Sequence, residues 1–146
     1  MTIQQDGAEE LSLLALPQLQ RLVMSGGFFR TFGFTKSQWI IFAALLHRGS
    51  LTMSQAAAYI SSSKEQATRA VAQMVAEGYV AREIDPDNRT HVRISLTEAG
   101  LTLAARCRRE VLPQLHDRLS ASLTEQDQQE LCRSLASIIR ILDRVV

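Results

Sequence analysis

Cysteine is scarce: Cys107 and Cys132 are the only two, and neither belongs to a C-x-x-C pair or a Cys/His cluster. Without such spacing no metal site is expected, and the simplest reading is two reduced, partly buried thiols, with redox sensing as the alternative. Histidine is as sparse. His47, His91 and His116 are scattered, with no H-E-x-x-H and no nearby nucleophile pair. Ser61-Ser62-Ser63-Lys64 matches the S-x-x-K of penicillin-binding enzymes, but the companion motifs that would complete that chemistry are missing. No catalytic residue and no cofactor is therefore expected. Long apolar runs are lacking too, and Met1 to Glu10 has neither the basic start nor the apolar core of a signal peptide, so no membrane segment and a cytoplasmic location are expected. Charge of one sign is absent: the net charge is +1. No repeat, linker or low-complexity segment interrupts the chain.

What remains is a 146-residue chain, 46% hydrophobic, which suffices for one packed domain over 1–146. Its most informative stretch runs from Ser61 to Leu96. A serine cluster leads into a helix with a capping box in either of two registers, Ser62 with Glu65 or Ser63 with Gln66, and Gly78 ends it. Ala67, Ala70, Val71, Met74 and Val75 recur at helical spacing as an inward stripe. That leaves Gln66, Arg69 and Gln73 on an outward face, with Lys64 at its leading end. Tyr79 to Ile84 is rich in strand formers, and Val92, Ile94 and Leu96 alternate with His91, Arg93 and Ser95. Between these strands lies the turn Asp85-Pro86-Asp87-Asn88-Arg89-Thr90. A helix able to enter a major groove, followed by a hairpin tipped by a cation, is a winged helix-turn-helix in outline.

The flanks support that outline. Met1 to Gly7 is polar and expected to fray. From Glu9 the pattern Leu11, Leu14, Ala15, Leu19, Leu22, Val23 makes an apolar helical stripe that fades at Gly26-Gly27, with Pro17 permitting a kink or a late start. All five phenylalanines fall between residues 28 and 42, together with Trp39. These rings build a core, or some of them, namely Phe28, Phe32, Trp39 and Phe42, line a pocket for a small molecule. Thr35 with Gln38 and Thr52 with Gln55 are capping boxes opening helices that stop near Gly49 and Ile60, with Leu51-Thr52 as a short extra strand. Thr97-Glu98-Ala99-Gly100 caps a long helix carrying Pro113 as a likely kink site, and Thr124 opens a last helix whose stripe Leu131, Leu135, Ile138, Ile139, Leu142, Val145 continues to the end. The terminal stripes exceed what one small lobe can cover, so two subunits are expected to pack through them as a two-fold homodimer. The fold class is thus mainly α (α+β), a winged helix-turn-helix over 35–96 between dimerisation helices over 9–30 and 98–146.

The outward residues suit double-stranded DNA. Arg69 and Gln66 can make bidentate contacts to guanine and adenine, while Ser62, Lys64 and Thr68 suit phosphates. From Lys36 to Ser95 seven basic residues face five acidic ones, so affinity must come from placed cations rather than a broad basic field. The alternative is a winged helix serving protein association without DNA, which would have little need for both Arg69 and Arg89.

The order of elements, and the segments Leu-Thr-Met-Ser-Gln-Ala-Ala, Ser-Lys-Glu-Gln-Ala-Thr-Arg-Ala-Val, Glu-Gly-Tyr-Val-Ala-Arg, Asp-Pro-Asp-Asn-Arg and Val-Arg-Ile-Ser-Leu-Thr-Glu-Ala-Gly between Leu51 and Gly100, resemble the multiple-antibiotic-resistance regulator (MarR) family of bacterial transcription factors. The ends fit by pattern alone. The resemblance implies a homodimer on a pseudo-palindromic operator, usually a repressor, often released by a small aromatic or phenolic effector. It also implies that Ser62, Ser63, Lys64, Gln66, Thr68 and Arg69 lie at or near the major groove. Arg89 would reach the minor groove, with Asp87 able to orient it by a salt bridge. Many members carry two or more basic wing residues, whereas here Thr90 follows Arg89.

Overall fold

The computed structural model describes residues 7–145. The expected fraying of Met1 to Gly7 falls, except for Gly7, outside them. The chain divides into two compact units, residues 1–107 and 108–146. No helix is long and apolar enough to cross a membrane among the described residues.

In the first unit, α1 (Ala8–Met24) runs through Pro17 without interruption, and the one-turn α2 (Phe28–Thr31) follows. Helix α3 (Lys36–Arg48) starts at Thr35, whose hydroxyl accepts from the Gln38 N–H while the Gln38 side chain accepts from the Thr35 N–H. The same reciprocal box, Thr52 with Gln55, opens α4 (Met53–Tyr59). Both helices begin where the local pattern placed them because a capping box spans only three residues and needs no distant partner. Helix α5 (Lys64–Ala76) ends on Gly78, whose φ of +83° lets the Gly78 N–H reach the Val75 carbonyl and the Tyr79 N–H reach that of Met74. Those bonds occupy carbonyls that the last helical turn would otherwise leave unpaired.

The sheet has the order β1-β3-β2 with both pairs antiparallel, from β1 (Ser50–Thr52), β2 (Val80–Ile84) and β3 (Val92–Leu96). Ile94 faces Leu51 on one side and Arg82 on the other, and its side chain is fully buried. Helices α3, α4 and α5 close the core with Ile41, Phe42, Leu45, Ala56, Ala67, Val71 and Met74. The aromatic residues belong largely to this core. Phe34 lies tilted against Phe42 at 5.2 Å between ring centres and meets Tyr79 edge-on at 6.2 Å, while Trp39 lies 6.2 Å from Phe42.

Helix α6 (Glu98–Ser122) begins in this unit, where Leu103, Ala104 and Cys107 join the core, and it carries Pro113 further on. Thus residues 98–107 help build the first unit rather than forming only a terminal arm. The second unit holds the rest of α6 and α7 (Glu125–Leu142), which opens on a capping box of Thr124 with Asp127. The two cysteines differ, and neither fits the expectation of two partly buried thiols. Cys107 is buried in the first core, whereas Cys132 lies exposed on α7, where its neighbours on the helix face are not enclosed.

Candidate nucleic-acid interface

Helices α4 and α5 are joined by a tight turn through Ser61, whose φ is +50°. The Ser61 N–H donates to the Ala58 carbonyl and the Ser62 N–H to that of Ala57, which ends α4 and aims the chain back across it. Ser63 then caps α5, its hydroxyl accepting from the Gln66 N–H at 3.2 Å. Of the two registers legible in the sequence, the structure takes the second, but only half of the box forms. The Gln66 side chain instead accepts from the Ser62 hydroxyl at 2.6 Å. Ser62 therefore orients Gln66, and Ser63 serves the helix end.

The same end carries Glu65. Its own backbone N–H, then the Ser63 hydroxyl, with Arg69 and Lys64 adding attraction, hold its carboxyl below the usual 4.5. A folded-state pKa that is depressed means stability present above the unfolded value and lost as pH falls through the folded one. Glu65→Gln is therefore expected to lower the urea midpoint at neutral pH. The gap to wild type should begin to narrow as the pH drops below 4.5 and close as it falls through the lower folded-state value, and a gap that persists in stronger acid would refute the assignment.

Lys64, Gln66, Thr68 and Arg69 are exposed along the first two turns of α5, while Ala67, Val71 and Met74 are buried beneath them. Gln73 is exposed as well, but it is committed elsewhere. Its Oε1 accepts from Gln38 at 3.0 Å and its Nε2 donates to Glu77 at 3.2 Å. Sequence periodicity put Gln73 on the outward face, and could not reveal a partner on another helix.

The wing follows at once. Asp85 to Thr90 is shaped by its own short polar side chains: the Asp87 N–H donates to Asp85 Oδ1, and the N–H and hydroxyl of Thr90 both donate to Asn88 Oδ1. The salt bridge from Asp87 to Arg89 that the family resemblance implied is not formed. The turn uses Asp85 and Asn88 to satisfy backbone N–H groups locally, leaving Arg89 exposed at the tip. Behind the wing, Arg93 donates to the Ser50 hydroxyl from Nε and Nη2, at 3.3 and 2.7 Å, so it braces β3 against β1.

Between the start of α4, the start of α5 and the root of the wing lies an open groove of about 510 Å³, lined by Thr52, Met53, Ser54, Lys64, Thr68, Thr90, His91 and Val92. Hydroxyls, one ammonium and an imidazole converge there, the set of donors that suits phosphate oxygens. Sequence reading singled out Lys64 and Thr68 but missed Thr52, Ser54, Thr90 and His91, because three separate elements bring them together. The residues considered for an effector pocket divide. Phe28 and Phe42 are buried, while Phe32 and Trp39 are half-buried and stack at 6.5 Å, with the Arg106 guanidinium 5.3 Å above the Phe32 ring.

A helix-turn-helix pair with a three-stranded wing defines a winged helix-turn-helix protein. Residues 32–89 match the sequence model of the MarR family. No curated relative matches the sequence. Among solved structures, wild-type MarR from E. coli in its apo form is 20% identical with a TM-score of 0.71, covering 91% of this chain and 96% of that one. A MarR transcriptional regulator from Methanosarcina mazei is 20% identical with a TM-score of 0.68, covering 94% and 97%. A mutant MarR from E. coli complexed with operator DNA is 21% identical with a TM-score of 0.62, covering 89% and 91%. At these identities the likeness is one of fold.

Proposed function

We propose that this chain is a sequence-specific DNA-binding repressor that acts as a homodimer on a pseudo-palindromic operator. The observation that carries the reading is the exposed row of Lys64, Gln66, Thr68 and Arg69 at the start of α5, beside a wing tipped by Arg89. In such proteins the recognition helix offers its N-terminal residues to base edges, and wing and hydroxyl contacts fix it on the backbone. That a family member of the same fold is complexed with operator DNA supports the assignment. The protein-association alternative would leave this row, the groove and Arg89 without a purpose.

The dimer is supported by what each end of the chain leaves uncovered. Helix α1 has no buried residue and exposes Leu13 and Leu16, at 74% and 62%, and α7 likewise has none and exposes Ile138, Ile139 and Leu142. Apolar faces of that extent call for a partner surface, and a two-fold partner would set two recognition helices about one duplex turn apart, roughly 34 Å.

Release by a small aromatic anion is part of the proposal. Phe32 and Trp39 offer ring faces, Arg106 offers charge, and Phe28 and Phe42 are enclosed behind. Selection of bound fragments from random duplexes tests the whole reading. The expected product is a two-fold site with half-sites about one turn apart, weakened by at least one member of a panel of phenolic acids. A chain that is strictly monomeric, or that enriches no sequence at low ionic strength, overturns it, and a panel that changes neither thermal stability nor operator affinity removes the effector.

A further inference from the structure

Gln38 is the one buried polar side chain among the described residues, with 2% of its surface accessible. Its partners form a chain whose polarity is forced. The Thr35 N–H can only donate, so Gln38 must turn Oε1 toward it, at 2.8 Å. That leaves the Gln38 Nε2 to donate to the Ala70 carbonyl at 3.3 Å and to Gln73 Oε1 at 3.0 Å. Gln73 must then present its own Nε2 to the Glu77 carboxylate, at 3.2 Å. A backbone donor at one end and an acid at the other leave neither amide free to flip.

This chain joins the start of α3 to the third turn of α5. Both helices also contribute apolar side chains to the core, Ile41, Phe42 and Leu45 from α3 and Val71 and Met74 from α5. Apolar contact holds two helices together but is non-directional, so it resists rolling about the helix axis only through shape. Hydrogen bonds are directional. A roll of about 10° moves side chains at the outer helix radius by about 1 Å. Bidentate base contacts tolerate roughly half of that. The orientation of α5 therefore needs a specific stop.

We propose that Gln38 is a positioning residue that fixes the roll of the recognition helix through Ala70 and Gln73, and that Gln73 belongs to this strut and does not read bases. The inference rests on the DNA-binding reading above. Gln73 lies beyond the N-terminal turns that such helices present to the groove, and both ends of its amide are engaged.

The test uses the operator selected by the full-length wild type, with Gln73→Ala, Gln38→Met and the double variant compared for affinity and for base preference. Each single change removes hydrogen bonds of modest net worth, so binding falls about three- to tenfold. Base preference should broaden at the positions that Arg69→Ala also affects, and the double variant should bind no more weakly than the weaker single, since both cuts open one chain. Additive losses, a base position governed by Gln73 alone, or unchanged preference in both singles would each overturn the strut. Gln73 is exposed, so Gln73→Ala with Glu77→Ala supplies the same comparison if Gln38→Met does not fold. If the wild type enriches no sequence at all, it is the DNA-binding reading that fails.

Discussion

Arg69→Ala should leave the protein folded and cost operator binding about 1–3 kcal/mol per half-site, with base preference relaxed at one position in each. The side chain is exposed on α5 and its loss opens no cavity, so stability should change little. The sharp comparison is Arg89→Ala. A wing-tip cation held against the backbone contributes through counterion release, so its loss should weaken binding evenly across sequences and reduce the salt slope by about 0.9 per contact, or nearly 2 for a dimer. Gel-shift titrations at several salt concentrations separate the two. Curves for both variants that coincide with wild type would end the DNA-binding reading.

The second large effect is on folding. Gly100→Ala ought to destabilise the protein even though alanine is favoured over glycine inside a helix by about 1 kcal/mol. A Cβ at Gly100 would sit 2.2 Å from the Tyr79 carbonyl oxygen and 3.3 Å from the Leu96 Cβ. That oxygen cannot move away freely, because it accepts from the Thr97 N–H at 3.0 Å, while the Thr97 hydroxyl accepts from the Gly100 N–H and donates to the Gly78 carbonyl. Overpacking against backbone typically costs about 1–3 kcal/mol and outweighs the gain in propensity. Urea denaturation of the variant should show a lower midpoint. A midpoint equal to or above wild type would mean that the junction between the end of α5 and the start of α6 can open without loss.

What was legible from sequence depended on how far each interaction reaches along the chain. The boxes of Thr35 with Gln38 and Thr52 with Gln55 were readable because they close over three residues, and the buried stripe Ala67, Val71, Met74 because it repeats at helical spacing. Ser62 and Ser63 offered two equivalent registers, and only the placement of the turn through Ser61 decides between them. The bonds of Gln38 span 32 and 35 positions, so a residue recognised as a helix cap was also a cross-helix tie that no local pattern could disclose. Gly100 shows the same limit. In sequence it is an ordinary helix-start residue, and its need for no side chain arises from a carbonyl 21 positions earlier. The groove, too, gathers Thr52, Lys64 and His91 from three elements.

The loop from Asp85 to Thr90 is tied off by bonds within itself and stands outside the core. Its tip can be exchanged much as a drill bit is, with the chuck formed by β2 and β3 left untouched. Changes in how tightly descendants of this chain hold a polyanion, and in how steeply salt weakens that hold, can accumulate there residue by residue, including the gain of a second cation at position 90, without reopening the question of whether the protein folds.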